Sequence, residues 1–231
     1  MSRVGQWAFS AAMDKNFWLE RWRLNQIGFH QADFNARLIR HWPGLDVPGG
    51  GQVFVPLCGK SLDMLWFAQS GYRVVGVELS AVAIETFFKE AATPYTHRQQ
   101  SPLSTYEGKG IRIFCGDFFD LTSGDLGGTD AVFDRGALVA LPLQMRRRYV
   151  AQLLAVLPTG AEILLLTVEY DQARVGGPPF SVLRGEVEKL YSHRCSITPL
   201  EASTSDQVPP HFQSQGIKSL GESTYRIVKD H

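Results

Sequence analysis

The sequence predicts a single α/β domain: a mostly parallel sheet of seven strands, helices on both faces, and an antiparallel edge. Three observations point there. Short apolar runs alternate with helical segments from Gln52 to Val168, and the last run, Ala161 to Val168, is almost uninterrupted, as in a strand covered on both faces. The unit Gln52 to Glu78 reads strand, turn, helix, strand, and closes on an acidic residue. After Thr167 the alternation gives way to two closing strands joined by a loop, the pattern of an antiparallel edge.

Composition agrees with one ordinary globular domain. The chain has 231 residues, 44% of them hydrophobic and 20% charged, enough for a sizeable core. Lys+Arg and Asp+Glu both number 23, so no basic surplus draws the chain to nucleic acid or an anionic membrane. A small-molecule partner and a monomer are expected. The one basic run, Arg146-Arg147-Arg148, falls in an expected helix and reads as a solvated face. Cys58, Cys115 and Cys195 are too few and scattered for a disulfide framework or a zinc site, which points to the reducing cytoplasm. No apolar run approaches the roughly 18 residues that span a bilayer. Met1 to Ser10 lacks a secretory core, and residues 1–12 are expected to form a flexible, dispensable extension, with Met13 an alternative start of the domain.

The elements follow in order. Residues 15–42 read as helical, with Trp18 and Trp22 four apart on one face, a stripe that docks the segment onto the body. Val47 to Gly51 links to the first strand, Gln52 to Pro56; the turn Leu57 to Ser61 and a helix from Leu62 to Ser70 lead to the second, Arg73 to Val77. A helix from Ala81 to Ala92 sets Ile84, Phe87, Phe88 and Ala91 at the spacing of a sheet-packing face. Thr93 to Gly110 is polar and reads as a long surface excursion. Strands at Ile111–Cys115 and Ala131–Asp134 follow, then a helix from Leu143 to Leu157 closed by Pro158 and Gly160. Gly176 to Phe180 is a rigid loop, Leu183 to Tyr191 a short helix, and His193–Glu201 and Thr224–Val228 the closing strands.

In an open parallel sheet, ligands bind beyond the carboxyl ends of the strands. Glu78 ends the second strand roughly 20 residues after the first turn, the place of a carboxylate that accepts from a ribose diol. Gly59-Lys60-Ser61 resembles the end of a P-loop, but the required glycine five residues earlier is Phe54. A dinucleotide turn would need G-x-G-x-x-G, and here Gly59 stands between bulky Leu57 and Lys60. A nucleoside cofactor without phosphate needs fewer glycines, and S-adenosylmethionine fits that description. Asp117 after the third strand could meet an adenine amino group; Asp134 and Arg135 reach the same edge, though strand ends are rich in Asp for structural reasons too.

These residues carry a family resemblance. Phe17-Trp18 through Trp22, Ile27 to Gln31, Val55-Pro-Leu-Cys-Gly-Lys-Ser61, Val74 to Glu78, Asp134-Arg-Gly-Ala-Leu-Val139 and Gly177-Pro-Pro-Phe180 resemble the thiopurine S-methyltransferase family, in particular its bacterial branch. The resemblance implies a class I S-adenosylmethionine-dependent methyltransferase (Rossmann-like) fold and methyl transfer to sulfur in aromatic or heterocyclic thiols, with S-adenosylhomocysteine as product. It implies that Leu57, Gly59 and Glu78 contact the cofactor, that Asp117 and Phe118 flank adenine, and that Trp18, Trp22 and Phe29 form a lid within residues 15–42. Arg135 would approach the methionine end and the acceptor, which Phe29 also lines, and would be the catalytic residue. His30 reads as a scaffold residue and Lys189 as a solvated helix residue, each a minor candidate beside the acceptor. No metal is expected, since a sulfonium methyl is already activated. Halide, aliphatic thiol or inorganic selenium and tellurium species are the alternative acceptors, and a role in their detoxification is one possibility.

Overall fold

A computed structural model describes residues 15–206 and 208–230; the expected extension, residues 1–12, and Met13 lie outside them. The centre of the sheet is β1 (Gln52–Val55), buried at every position. Its side chains alternate between two cores, as the two-residue period of a strand demands. Phe54 joins Val75 and Val77 of β2 (Arg73–Glu78) on one face; Val53 and Val55 join Val74 on the other. The first core is covered by α5 (Leu143–Val156) and α6 (Arg184–Tyr191) through Tyr149, Leu153, Val187 and Tyr191. The second is covered by α2 (Ala36–His41), α3 (Asp63–Gln69) and α4 (Ala81–Glu90) through Leu38, Phe67, Ile84 and Phe87.

Among the described residues the sheet has nine strands rather than the expected seven, in the order β3-β4-β5-β2-β1-β6-β7-β9-β8. The expected frame is there: β5 (Ile111–Cys115), β2, β1, β6 (Thr129–Asp134) and β7 (Glu162–Glu169) run parallel. The pair β8 (Cys195–Ser205) and β9 (Leu220–Lys229) forms the antiparallel edge against β7. The two additional strands, β3 (Thr96–Arg98) and β4 (Ser104–Gly108), form a hairpin inside the stretch read as a loop. Every residue of β3 is exposed, so no hydrophobic alternation marks it.

Two further expectations need correction. Residues 15–42 are not one helical segment: α1 (Lys15–Arg23) ends before Asn25, which takes a positive φ of 54°, and α2 starts only at Ala36. Asn35 caps α2, its side chain accepting from the Arg37 and Leu38 N–H groups. Arg146 is not part of a solvated face. It is 2% exposed, donates to the Leu141 carbonyl and pairs with Glu186, tying α5 to α6, while Arg147 and Arg148 stay exposed. Among the described residues, no helix is long and apolar enough to cross a membrane.

Candidate cofactor and acceptor site

The carboxyl ends of β5, β2, β1 and β6 lie side by side along one edge of the sheet, where a ligand of an open parallel sheet would sit, and the turn after β1 forms the floor of this candidate site. Leu57 and Gly59 both have positive φ, 45° and 53°. For a branched residue such as Leu57 that conformation is strained, and it persists only where the surroundings impose it. The Cys58 N–H donates to the Val77 carbonyl at 2.9 Å and the Ser61 N–H to the Cys58 carbonyl at 3.0 Å. The Gly59 N–H donates to Glu78 Oε2 at 2.9 Å. All three amides are thus engaged within the protein, so the turn cannot cradle a phosphate as a P-loop does.

Glu78 is 6% exposed at the end of β2, its second oxygen accepting from the Ser80 N–H at 2.8 Å. Burial pushes its pKa up, against the opposing effect of the Ser80 and Gly59 amides. A carboxylate offers about four lone-pair sites, so each oxygen keeps capacity for a hydroxyl donor. Cys58, buried beneath, has its thiol pushed well up by burial and by Glu78, which makes it a poor nucleophile.

Trp22 lies over this floor. A Cβ on Gly59 would come within 2.9 Å of the Trp22 ring, so glycine is required both for the backbone angle and for the ring to seat. Phe29 sits edge-on to Trp22 at 5.6 Å and to Trp18 at 5.8 Å. Trp22 is 7% exposed and Phe29 43%, so the cluster grades from floor to solvent. The three aromatics expected to form a lid are therefore brought together through Phe29, with Trp22 against Gly59.

At the end of β5, Asp117 accepts the Phe119 N–H at 2.9 Å as the cap of a short turn, and pairs with Lys15 of α1 at 2.7 Å. Phe118 is 3% exposed and packs inward on Phe54 and Tyr149. At the end of β6, Asp134 accepts from the Ala137 and Leu138 amides and from the Tyr149 hydroxyl at 2.7 Å. Burial raises its pKa too. Asp134 thus fixes the backbone of the turn that carries Arg135, whose side chain is 20% exposed and 3.4 Å from Asp63. His30 is part-buried, its pKa lowered by burial and by Lys60, which favours the neutral imidazole. Lys189 is exposed on α6. The residues that sequence reasoning missed are Asp63, Ser80 and Tyr149. Ser80 was findable, as a serine opening an apolar-periodic helix, whereas the pairing of Tyr149 with Asp134 had no local signal.

S-adenosylmethionine fits this donor set: buried acceptors at the strand ends suit ribose hydroxyls and an amino group, and aromatic faces suit a sulfonium.

The comparisons with known proteins agree with the architecture. The family model described as thiopurine S-methyltransferase (TPMT) matches residues 13–230. A thiopurine S-methyltransferase of Nitrosospira multiformis is 46% identical over 216 residues, covering 94% of this chain and 98% of its own. One from Pseudomonas entomophila is 46% identical over 217 residues, covering 94% and 100%. Among solved structures, the Burkholderia thailandensis 1,6-didemethyltoxoflavin-N1-methyltransferase, with bound 1,6-didemethyltoxoflavin and S-adenosylhomocysteine, superposes with a TM-score of 0.62 at 14% identity, covering 100% of this chain and 92% of that one. An S-adenosylmethionine-dependent methyltransferase of Anabaena variabilis gives 0.63 at 12% identity over 94% and 96%. The fold is that of the class I methyltransferases.

Proposed function

The chain belongs to the thiopurine S-methyltransferase family, and from that premise we propose that it transfers the methyl group of S-adenosylmethionine to the sulfur of aromatic or heterocyclic thiols, by direct in-line displacement. The observation that carries this reading is the buried Glu78 carboxylate at the end of β2, clasped by the Gly59 and Ser80 amides, with the Trp22 ring seated against Gly59.

S-adenosylmethionine supplies an activated methyl group on a positively charged sulfur. Glu78 would hold its ribose hydroxyls, with Leu57 and Gly59 as the adjoining backbone floor. Asp117 and Phe118 would stand at the adenine side, Asp117 using oxygen capacity left after capping Phe119 and meeting Lys15. Trp18, Trp22 and Phe29 would exclude water and turn π faces toward the sulfonium, a contact of about 0.5–2 kcal/mol. Arg135 would hold the acceptor anion or order a water that takes its proton. An aromatic thiol ionises readily near neutrality, so alignment is the main contribution left to the protein, and alignment can be worth roughly 7–11 kcal/mol. An apolar acceptor space discriminates poorly between shapes, so broad specificity is expected.

The test is a panel of acceptors with S-adenosylmethionine: a thiopurine, an aliphatic thiol, halide, and inorganic selenium and tellurium species, with products identified by mass. S-methylated thiopurine as the fastest product is the expected result. Turnover confined to halide or inorganic species would move the substrate class and bring a detoxifying role to the fore.

A further inference from the structure

Asp63 has no part in the reading above, yet two distant segments and its own preceding turn meet on it. It opens α3, and its side chain is 1% exposed. One oxygen accepts the Asn35 N–H at 2.8 Å. The other accepts the Ser61 hydroxyl at 3.0 Å and lies 3.4 Å from Arg135 Nη2. The donors come from the end of the lid segment, the turn after β1 and the residue after β6.

A carboxylate this deeply buried is tolerable only when its lone pairs are satisfied, so the loss of any one donor is felt by the others. Asn35 also caps α2 through its side chain, so the junction between the lid segment and the body is fixed at the same point. The contact with Asp63 uses one of the five N–H donors of a guanidinium, which leaves the remainder of Arg135 for an anion in the crevice. Resting on the acceptor reading above, we propose that Asp63 is a positioning residue that couples the seating of the lid to the alignment of Arg135. With Asn35 in place, both oxygens are occupied and the Arg135 side chain is held on one side. With the lid segment displaced, the carboxylate loses a donor and Arg135 loses its fixed partner.

Asp63→Asn separates the two contacts, because the amide oxygen can still accept from Asn35 while the amide nitrogen cannot accept from Arg135 or Ser61. It is expected to lower kcat about tenfold, a misalignment effect, with the Kd of S-adenosylhomocysteine changed less than about twofold. In an Arg135→Ala background the same exchange is expected to change kcat by less than about twofold, because residues acting through one another are non-additive. A second measurement needs no turnover and no Asp63 variant. Hydrogen exchange at the Asn35 amide is expected to quicken at least about threefold in Arg135→Ala, since coupling is reciprocal. Equal losses of kcat in both backgrounds, or an Asn35 amide indifferent to Arg135→Ala, would overturn the proposal. A wild-type chain that methylates no thiol would instead sink the acceptor reading, and the exchange measurement would still decide whether Asp63 joins lid and arginine.

Discussion

The floor of the crevice and its lid are held by different kinds of interaction. On the floor, Glu78 and Asp134 are buried: Glu78 accepts from Ser80 in the turn after its own strand and from Gly59 in the turn after β1, and Asp134 from two amides of the turn after β6. Those turns are in turn continuous with the sheet. The proposed lid is held by ring edges: Trp18 and Trp22 each meet Phe29, and α1 packs on α4 with Trp22 as its one buried residue. Its polar ties to the body include the exposed Lys15–Asp117 pair and the Asn35 amide on Asp63. The floor carboxylates are thus held by backbone continuous with the sheet, whereas α1 is held by ring packing that no strand hydrogen bond secures. Floor substitutions should therefore act on affinity or turnover selectively, and lid substitutions on both.

The largest effect is expected at Arg135. Arg135→Ala should lower kcat about 100-fold, the scale of losing one charge-stabilising donor, with the Kd of S-adenosylhomocysteine changed less than about threefold by calorimetry. Equal losses in both would make Arg135 part of the cofactor floor. Glu78→Ala comes next. Hydrogen bonds to a charged group contribute about 1.5–3 kcal/mol, so cofactor affinity should fall about 10- to 100-fold; unchanged affinity would remove the ribose assignment.

The seam between floor and lid gives a sharper comparison. Trp22→Ala should weaken the cofactor about tenfold through loss of its π face. Gly59→Ala should mimic it, because the added methyl displaces the same ring. If Gly59→Ala leaves the tryptophan fluorescence and the affinity as in wild type, Trp22 is not seated as described. Lys15→Ala marks the small end: its side chain is 61% exposed, and exposed pairs contribute at most about 1 kcal/mol, so kcat should change less than about twofold.

The raised pKa of Glu78 adds a pH signature. In the folded protein without ligand, its carboxyl binds a proton at pH values above the ordinary 4.5. Folding stability from that protonation is full below 4.5 and declines as pH rises through the shifted value. Cofactor binding has the opposite sign, since ribose hydroxyls need the carboxylate. Affinity should thus fall as pH drops from neutrality toward the carboxylate range, with protons released on binding there. Calorimetry in buffers of different ionisation enthalpy reads that release, and Glu78→Gln should abolish it.

Much of this was legible in the sequence because burial leaves a pattern. The central strands β1, β2, β5, β6 and β7 are covered on both faces, so their apolar runs stand out, and Glu78 and Arg135 could be placed from where those runs end. What escaped was exposed or irregular. The hairpin β3–β4 lies at the rim, and its β3 carries no buried residue. The break between α1 and α2 depends on the Asn25 backbone and the Asn35 cap, neither of which alters hydrophobic spacing. Asp63 left no local signal, because its partners Asn35 and Arg135 are 28 and 72 residues away. Arg146 was lost in a run of three arginines that the helix divides between core and solvent.

Where the cofactor sits decides whether Glu78, Asp117 and Arg135 act as proposed. A crystal structure of the protein with S-adenosylhomocysteine should show the ribose hydroxyls on Glu78, the adenine beside Asp117 and Phe118, and the sulfur beneath Trp22 facing Arg135. Density for the ligand elsewhere, or an empty crevice at saturating concentration, would contradict it.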